Sequence, residues 1–229
     1  FTPRRELSFA GHPTIGTSFV VVAEQFVPRG TSEFFLEEKI GPVRIRVEHG
    51  ARPLIWLSTP PISFGKLYEA DRCAQALGLD VGDLLQVSPQ VVSAGNPTLI
   101  VAVRDKEQVD RVTFDSAGLS RLKSKDDPPL LVMIFTPTPD GAYSRVFGPE
   151  FGVPEDPATG SATGPLAAFM VRNGFVSGQA GTQFVSEQGV KMGRRGVLHV
   201  RLNGENGVDG IEIGGYVSPV AEATMKLYE

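Results

Sequence analysis

The sequence has very little of the chemistry on which disulfide-stabilised and metal-binding proteins depend. Its 229 residues include one cysteine, Cys73, and three histidines. A single cysteine cannot form a disulfide within the chain, which fits a reducing compartment. The scattered histidines and the lone thiol offer no ligand spacing for a metal, so we expect no metal site and no cofactor. A reaction that uses a pair of cysteines as acid and base is excluded.

Basic charge and long apolar runs are also scarce. Lysine and arginine number 22 against 26 acidic residues, which gives a formal net charge of −4. A nucleic-acid or anionic-membrane surface needs a basic excess, so we expect neither partner. No apolar run approaches the ~18 residues of a membrane span, and no signal peptide or Walker phosphate loop is visible. We therefore expect a globular, cytoplasmic protein.

The apolar residues that are present recur in short, alternating segments. Alternation is clearest at 43–48, and the frequent glycines and prolines favour many short strands with turns. Further strands are predicted at 34–40, 54–58, 98–103, 130–136, 143–147, 196–202, 208–213 and 217–221. Asn203-Gly204 and Asn206-Gly207 predict a hairpin turn. Helices are predicted at 66–77, closed by Gly78, and at 105–112 and 116–123.

Two segments, 13–23 and 157–171, read as helices with no charged face. Each begins with a proline, which is favoured in the first helical turn, and the second is followed by the capping pair Asn173-Gly174. A helix that is apolar all round is buried on all sides. The shared spacing Pro-x-x-Gly, in which a small residue follows the glycine, indicates a weak internal duplication. We therefore predict an α+β fold of two similar domains, 1–64 and 65–229, each a curved mixed sheet around a central helix.

The two predicted domains differ in what precedes their helix. Only residues 1–12 precede the first helix, whereas the strand-rich 65–156 precede the second. We expect the first domain to lack its N-terminal strands, which agrees with a start at Phe1 rather than methionine, and the last strand to cross back to it. The alternative is a genuinely small first domain. Exposing Phe19 to Val22 would cost about 1.5–3 kcal/mol per side chain, so we expect another chain or a rearranged strand to cover that face.

The starts of the two apolar helices hold the candidate functional residues. Unpaired N–H groups and the helix dipole favour an anion there, and glycine lets a ligand approach the backbone closely. His12 either caps the first helix or exchanges a proton with a substrate. Asp156 either caps the second helix or acts as an acid–base carboxyl in a cleft. Ser161 is either a packing residue or a hydroxyl donor to a substrate carboxylate. It is not expected to be a nucleophile, because no catalytic triad signature surrounds it. His49 and His199 are predicted to be surface or packing residues.

The same residues carry a resemblance to the PhzF-like phenazine biosynthesis proteins, of the diaminopimelate-epimerase-like superfamily, over essentially the whole chain. The two most specific motifs are Phe1-Thr2-Pro3-x-x-Glu6-Leu7-x-Phe9-Ala10-Gly11-His12-Pro13-Thr14-x-Gly16-Thr17 and Glu155-Asp156-Pro157-Ala158-Thr159-Gly160-Ser161-Ala162-x-Gly164-Pro165-Leu166. Weaker similarities lie at 94–97, 144–153 and 215–222. The resemblance implies the two-domain fold predicted above, a homodimer, and a cofactor-independent isomerase that moves a proton within a small carboxylate substrate.

The resemblance also implies roles for individual residues. Asp156 would be the cleft carboxyl that assists proton delivery, and His12 would contact the substrate near the migrating proton. Ser161 and the backbone at Gly11 and Gly160 would hold the substrate carboxylate or a developing enolate.

One expected feature of the family is not found in this sequence. The principal base of the family is a glutamate on an N-terminal segment that precedes the strand opening this chain. Ser32-Glu33-Phe34 is similar to that glutamate motif, but it follows the first helix, so we interpret it as the start of a surface strand. Two functions therefore stay open: an isomerase of this family, or a catalytically silent relative or fragment that only binds a small organic acid.

Overall fold

The computed structural model describes residues 2–4, 6–124, 126–204 and 208–225. Within them the helices are α1 His12–Ala23, α2 Ala70–Leu77, α3 Lys106–Arg111, α4 Ser116–Leu122 and α5 Gly160–Arg172. The strands are β1 Glu33–Glu38, β2 Gly41–Glu48, β3 Leu54–Ser58, β4 Ser63–Leu67, β5 Gln90–Ser93, β6 Pro97–Ala102, β7 Leu131–Thr138, β8 Gly141–Gly148, β9 Val153–Asp156, β10 Gln183–Gln188, β11 Gly196–Leu202 and β12 Ile211–Tyr216. Strands dominate, and the predicted α+β class is confirmed.

The described strands join into one mixed sheet. Its order is β1-β2-β3-β12-β11-β10-β8-β7-β6-β5-β4, and β9 pairs with β8 outside this path. The pairs β6–β7 and β10–β8 are parallel, and the other named pairs are antiparallel. Because β12 pairs with β3, the last strand links the N-terminal strands to the rest of the sheet. The division into domains 1–64 and 65–229 stays a prediction.

The helix α5 runs through the main hydrophobic core. Every residue from Gly160 to Met170 is buried, and the helix packs against β5, β6, β11 and β12. The ring of Phe169 meets that of Phe135 edge-on, with centroids 5.9 Å apart. The prediction of a helix buried on all sides is confirmed here, and its end at Asn173, followed by the left-handed Gly174, matches the predicted cap.

The helix α1 is covered on one side only, so the prediction of burial on all sides is wrong for it. It lies on β3 and β12 and buries Thr14, Ile15 and Ser18, whereas Val20 is 49% exposed. The apolar composition of the helix would permit full burial. Burial also requires sheet on both sides, and the strands that α1 packs against, β3 and β12, leave Val20 in solvent. The expected rearranged strand does not cover this position.

A second core lies between the sheet and the short helices. The helices α2 and α4 pack together there, and Cys73 is fully buried in α2. Burial raises the pKa of the Cys73 thiol to about 12, so the thiol stays protonated and unreactive, as expected for a buried packing residue. Gly78 ends α2 with φ +68°, a left-handed conformation that favours glycine.

Several predicted boundaries need correction. The helix predicted at 66–77 begins only at Ala70, because 63–67 form β4. The strand predicted at 208–213 is β12 at Ile211–Tyr216, and 217–221 is not a strand, since it carries Pro219 and is largely exposed. The strands β11 and β12 do pair antiparallel as predicted for the hairpin, but Asn206 and Gly207 lie outside the described residues.

No helix in the described part of the chain is both long enough and apolar enough to span a membrane.

Candidate active site

The starts of α1 and α5 touch through their glycines. A Cβ atom on Gly11 would lie 2.4 Å from the Cα atom of Gly160, and a Cβ atom on Gly160 would lie 2.9 Å from the Cα atom of Gly11. Side chains cannot occupy such distances, so only glycine permits this contact. We expected these small residues to let a ligand approach the backbone. In the structure they allow the backbones of the two helix starts to contact each other. Their contact brings the N-terminal ends of the two helices together.

A cavity of about 70 Å³ opens where the two helices meet. Its walls are formed by Thr2, Leu7, Ala10, Gly11, His12, Leu131, Gly148, Phe151, Val153, Asp156, Thr159, Gly160 and Ser161. The five residues singled out from the sequence, Gly11, His12, Asp156, Gly160 and Ser161, all lie on this wall. The structure thus brings together residues that are far apart in the sequence, although their chemical roles stay predictions.

Asp156 is the last residue of β9 and pairs with Val146 of β8. The hydroxyl of Thr159 donates a hydrogen bond of 2.6 Å to Asp156 Oδ2. The alternative interpretation of Asp156 as the helix cap is wrong, because α5 begins at Gly160 and its N-cap residue is Thr159. Pro157 keeps Asp156 extended and is followed by two further residues before the helix starts.

His12 is the first residue of α1 and is exposed at the cavity. Its Nδ1 lies 2.9 Å from the carbonyl oxygen of Ala158. Because a carbonyl oxygen only accepts, Nδ1 carries the proton, and in the neutral ring Nε2 is the basic nitrogen. The N-cap residue of α1 is Gly11, so His12 does not cap its own helix. It ties α1 to the loop that precedes α5.

Ser161 lies in the first turn of α5 and is 4% exposed. The first N–H groups of a helix have no partner within the helix, and the dipole adds positive potential there. Neither helix carries an acidic residue in its first turn. The start of α5 is therefore suited to a carboxylate or an enolate oxygen.

Glu38 is a residue near the site that the sequence analysis missed. From the end of β1, its carboxylate accepts a hydrogen bond of 3.2 Å from the N–H group of Ala10 and another from the hydroxyl of Thr14. The positive end of α1 is thus partly compensated from within the protein. Glu38 shares the half-buried face of β1 with Phe34 and Leu36. No local pattern could have revealed its contact with the start of α1, because that contact depends on how the sheet places the helix.

Two carboxylates that belong to the family motifs or are similar to the family's glutamate motif, Glu155 and Glu33, are engaged elsewhere. Glu155 forms a two-pronged ion pair with Arg145, with distances of 2.9 Å to Nε and 2.8 Å to Nη2. Glu33 begins the exposed strand β1, as expected, where a hydrogen bond from Arg44 lowers the pKa of its carboxyl group. Neither residue lines the cavity, which leaves Asp156 as the carboxyl group on its wall among the described residues.

The other two histidines lie outside the cavity, as predicted. His199 packs between the rings of Trp56 and Tyr216, and burial lowers the pKa of its imidazole. His49 is exposed and bonds the carbonyl of Thr31. Within the described ranges, no three histidine, cysteine or acidic side chains lie close enough together to hold a metal ion.

Comparison with known proteins agrees with the family resemblance seen in the sequence. A family profile described as "Phenazine biosynthesis-like protein" matches residues 1–223. The trans-2,3-dihydro-3-hydroxyanthranilate isomerase of Pseudomonas aeruginosa is 31% identical, with 99% of this chain aligned to 78% of that protein. An uncharacterized isomerase of Mesorhizobium japonicum is also 31% identical, over 98% of this chain and 78% of its own length.

Solved structures agree with the sequence relatives. A predicted epimerase from Pseudomonas aeruginosa superposes with a TM-score of 0.79 at 28% identity and covers 100% of this chain, which covers 78% of that one. A probable proline racemase from Agrobacterium radiobacter shares the fold alone, at a TM-score of 0.62 and 16% identity. The match covers 96% of this chain and 69% of the racemase chain.

These relatives are named as isomerases and an epimerase, and the solved structures share the sheet-dominated α+β fold of this chain. The chain belongs to the phenazine biosynthesis-like protein family.

Proposed function

We propose that this protein is a cofactor-independent isomerase that moves a proton within a small carboxylate substrate. The observation that carries the proposal is the contact between Gly11 and Gly160, because it turns two helix N-termini and the carboxyl group of Asp156 towards one cavity. Positive potential and an acid–base group on one wall are what a reaction through an enolate-like intermediate needs.

The helix starts would bind the negative charge of the substrate. The N–H groups at Gly160 and Ser161, together with the Ser161 hydroxyl, are suited to a carboxylate or to the oxygen on which charge develops. The start of α1, at Gly11, is already partly compensated by Glu38. We therefore place the anion chiefly at the start of α5.

The proton would move by way of Asp156. Its carboxylate takes a proton from a carbon of the substrate, and the electron pair of that C–H bond moves into the conjugated system. The substrate then takes a proton back from Asp156 at a different carbon, which regenerates the carboxylate. Nothing is oxidised or reduced, so no co-reactant is needed. Positioned acid–base groups typically contribute about 10²–10⁴-fold to a rate.

The P. aeruginosa relative is named for its substrate, trans-2,3-dihydro-3-hydroxyanthranilate, which is a small unsaturated acid with a carboxylate. We take that compound as the first probe for this protein. By the same family relation we propose a homodimer, which sedimentation velocity tests.

The test follows solvent deuterium into the probe in deuterated buffer. We expect the wild-type protein to incorporate deuterium into the probe. We expect Asp156→Asn to keep its fold but to lose turnover by about 10²-fold or more, because the amide cannot take up and return the proton. Asp140→Asn, at an exposed carboxylate in the turn before β8, is the matched control and stays active. Retained turnover in Asp156→Asn contradicts the assignment. Binding of the probe without any exchange supports the silent binder instead.

A further inference from the structure

We propose that Thr159 and Gln188 are positioning residues that hold the Asp156 carboxyl group in one orientation, with one oxygen anchored and the other left for the substrate. The inference rests on the proposed function and extends it. Gln188 is the last residue of β10 and is completely buried, and Thr159 is 6% exposed. The sequence analysis gave neither residue a role, although Thr159 lies within the second family motif.

The side-chain amide of Gln188 is bonded at both of its ends. Its Nε2 donates to the carbonyl oxygen of Asp156 at 2.5 Å and to Thr159 Oγ1 at 2.9 Å. Its Oε1 accepts from the backbone N–H group of Thr159 at 3.2 Å. These three bonds fix the main chain on both sides of the loop between β9 and α5.

The chemistry of the partners settles the orientation of this amide. If the amide were reversed, its NH₂ group would face the N–H group of Thr159, so a donor would face a donor. Its oxygen would face the carbonyl oxygen of Asp156, so an acceptor would face an acceptor. In the bonded orientation, Thr159 Oγ1 already accepts a hydrogen bond from Gln188. Its own hydroxyl proton is then directed to Asp156 Oδ2, at 2.6 Å. The hydrogen bonds therefore run in one direction, from Gln188 through Thr159 to Asp156.

This chain of bonds makes the two oxygens of Asp156 unequal. Oδ2 is held by Thr159, whereas Oδ1 accepts no hydrogen bond from the described residues. Since Asp156 lines the cavity, Oδ1 is the oxygen left to exchange a proton with a bound acid. A fixed carboxyl group saves the cost of orienting it during the reaction.

The hydroxyl of Thr159 is not needed to begin the helix. The backbone carbonyl of Thr159 accepts from the N–H groups of Ala162 at 3.0 Å and Thr163 at 3.1 Å, and its side chain makes no capping bond. The main chain thus forms the helix start, and the buried hydroxyl of Thr159 donates its hydrogen bond to Asp156. This separation lets a mutation remove the hydroxyl without removing the cap.

The decisive variants change this one hydroxyl. Thr159→Val keeps the shape and removes the bond to Asp156, whereas Thr159→Ser keeps the bond. We expect Thr159→Val to lower kcat for exchange into trans-2,3-dihydro-3-hydroxyanthranilate by about tenfold or more, a fraction of the full acid–base contribution, with KM nearly unchanged. Thr159→Ser restores most of kcat. Thr163→Val, which removes the buried hydroxyl of a threonine inside α5 that does not contact Asp156, is the control and stays near wild type.

A second variant tests whether Gln188 acts through the same bond. Gln188→Leu frees the Thr159 hydroxyl to turn away, so kcat falls again, and the double variant with Thr159→Val loses less than the product of the two separate losses. Independently of any activity, amide hydrogen exchange at Thr159 speeds up at least tenfold in Gln188→Leu, while the amide of Leu166, inside α5, stays protected.

The outcomes separate this inference from the proposed function. If Asp156→Asn is inactive but Thr159→Val keeps the wild-type kcat, the positioning role is overturned and the isomerase stands. If the wild-type protein exchanges no deuterium, the isomerase proposal falls. The positioning role is then decided by a crystal structure of Thr159→Val: a displaced or doubled Asp156 side chain supports it, and an unchanged one overturns it.

Discussion

The helices α1 and α5 have similar apolar sequences and meet at one cavity, yet the structure treats them differently. All residues from Gly160 to Met170 of α5 are buried, whereas α1 buries only Thr14, Ile15 and Ser18. The strands β5, β6, β11 and β12 surround α5, and β3 and β12 lie along α1. The apolar sequence of a helix therefore shows which residues can be buried, and the strands packed around the helix determine which of them are buried.

The two helix starts also differ in how a nearby carboxylate is bonded. The carboxylate of Glu38 accepts from a backbone N–H group, that of Ala10, before α1. At the start of α5 the carboxylate of Asp156 accepts from the side-chain hydroxyl of Thr159. In the proposed site, the start of α1 would therefore contribute the backbone at Gly11 and the imidazole of His12, the start of α5 would bind the anion, and the end of β9 would contribute Asp156. This proposed division rests on the contacts and is not visible in the shared sequence pattern.

The largest effect that sharpens the comparison is a truncation in each helix. Phe169→Ala removes a fully buried ring from α5, and such changes cost about 3–5 kcal/mol of unfolding free energy. Val20→Ala removes two methyl groups from a side chain of α1 that is 49% exposed, and we expect a change within about 0.5 kcal/mol. Urea unfolding followed by circular dichroism measures both. Equal losses would show that α1 is buried in solution as α5 is.

A smaller effect concerns a glycine in the second turn of each helix. A Cβ atom on Gly164 of α5 would lie 2.5 Å from Thr59 Cγ2, whereas one on Gly16 of α1 meets nothing within 4 Å. Gly164→Ala should therefore cost about 1–3 kcal/mol through overpacking. Gly16→Ala should stabilise the protein by up to about 1 kcal/mol, since alanine favours a helix over glycine. The comparison fails if both variants shift the thermal midpoint in the same direction.

Part of this picture was available from the sequence. The apolar helices, the glycines at their starts, and His12, Asp156 and Ser161 beside them follow from composition, proline position and the electrostatics of helix ends. The contact between Gly11 and Gly160 could not be predicted from residues alone, because it depends on how the sheet places the two helices.

The strand β10 was missed for a definite reason. In Gln183–Gln188 the inward face carries Ser186 and Gln188, which are polar and fully buried, so its alternation reads as a surface loop. Buried polar residues need partners that lie far away in sequence, here the loop that follows β9. Asp156 was ambiguous for a related reason, because a proline after an aspartate is compatible both with a helix cap and with an extended chain.

The central claim is that both helix starts line one substrate site, and backbone amide NMR with trans-2,3-dihydro-3-hydroxyanthranilate tests it most directly. We predict that the amide signals of His12, Gly160 and Ser161 shift together and saturate at the same concentration of the compound, while amides of α2 stay in place. Shifts confined to one helix start, or saturating at two different concentrations, would contradict the single shared site.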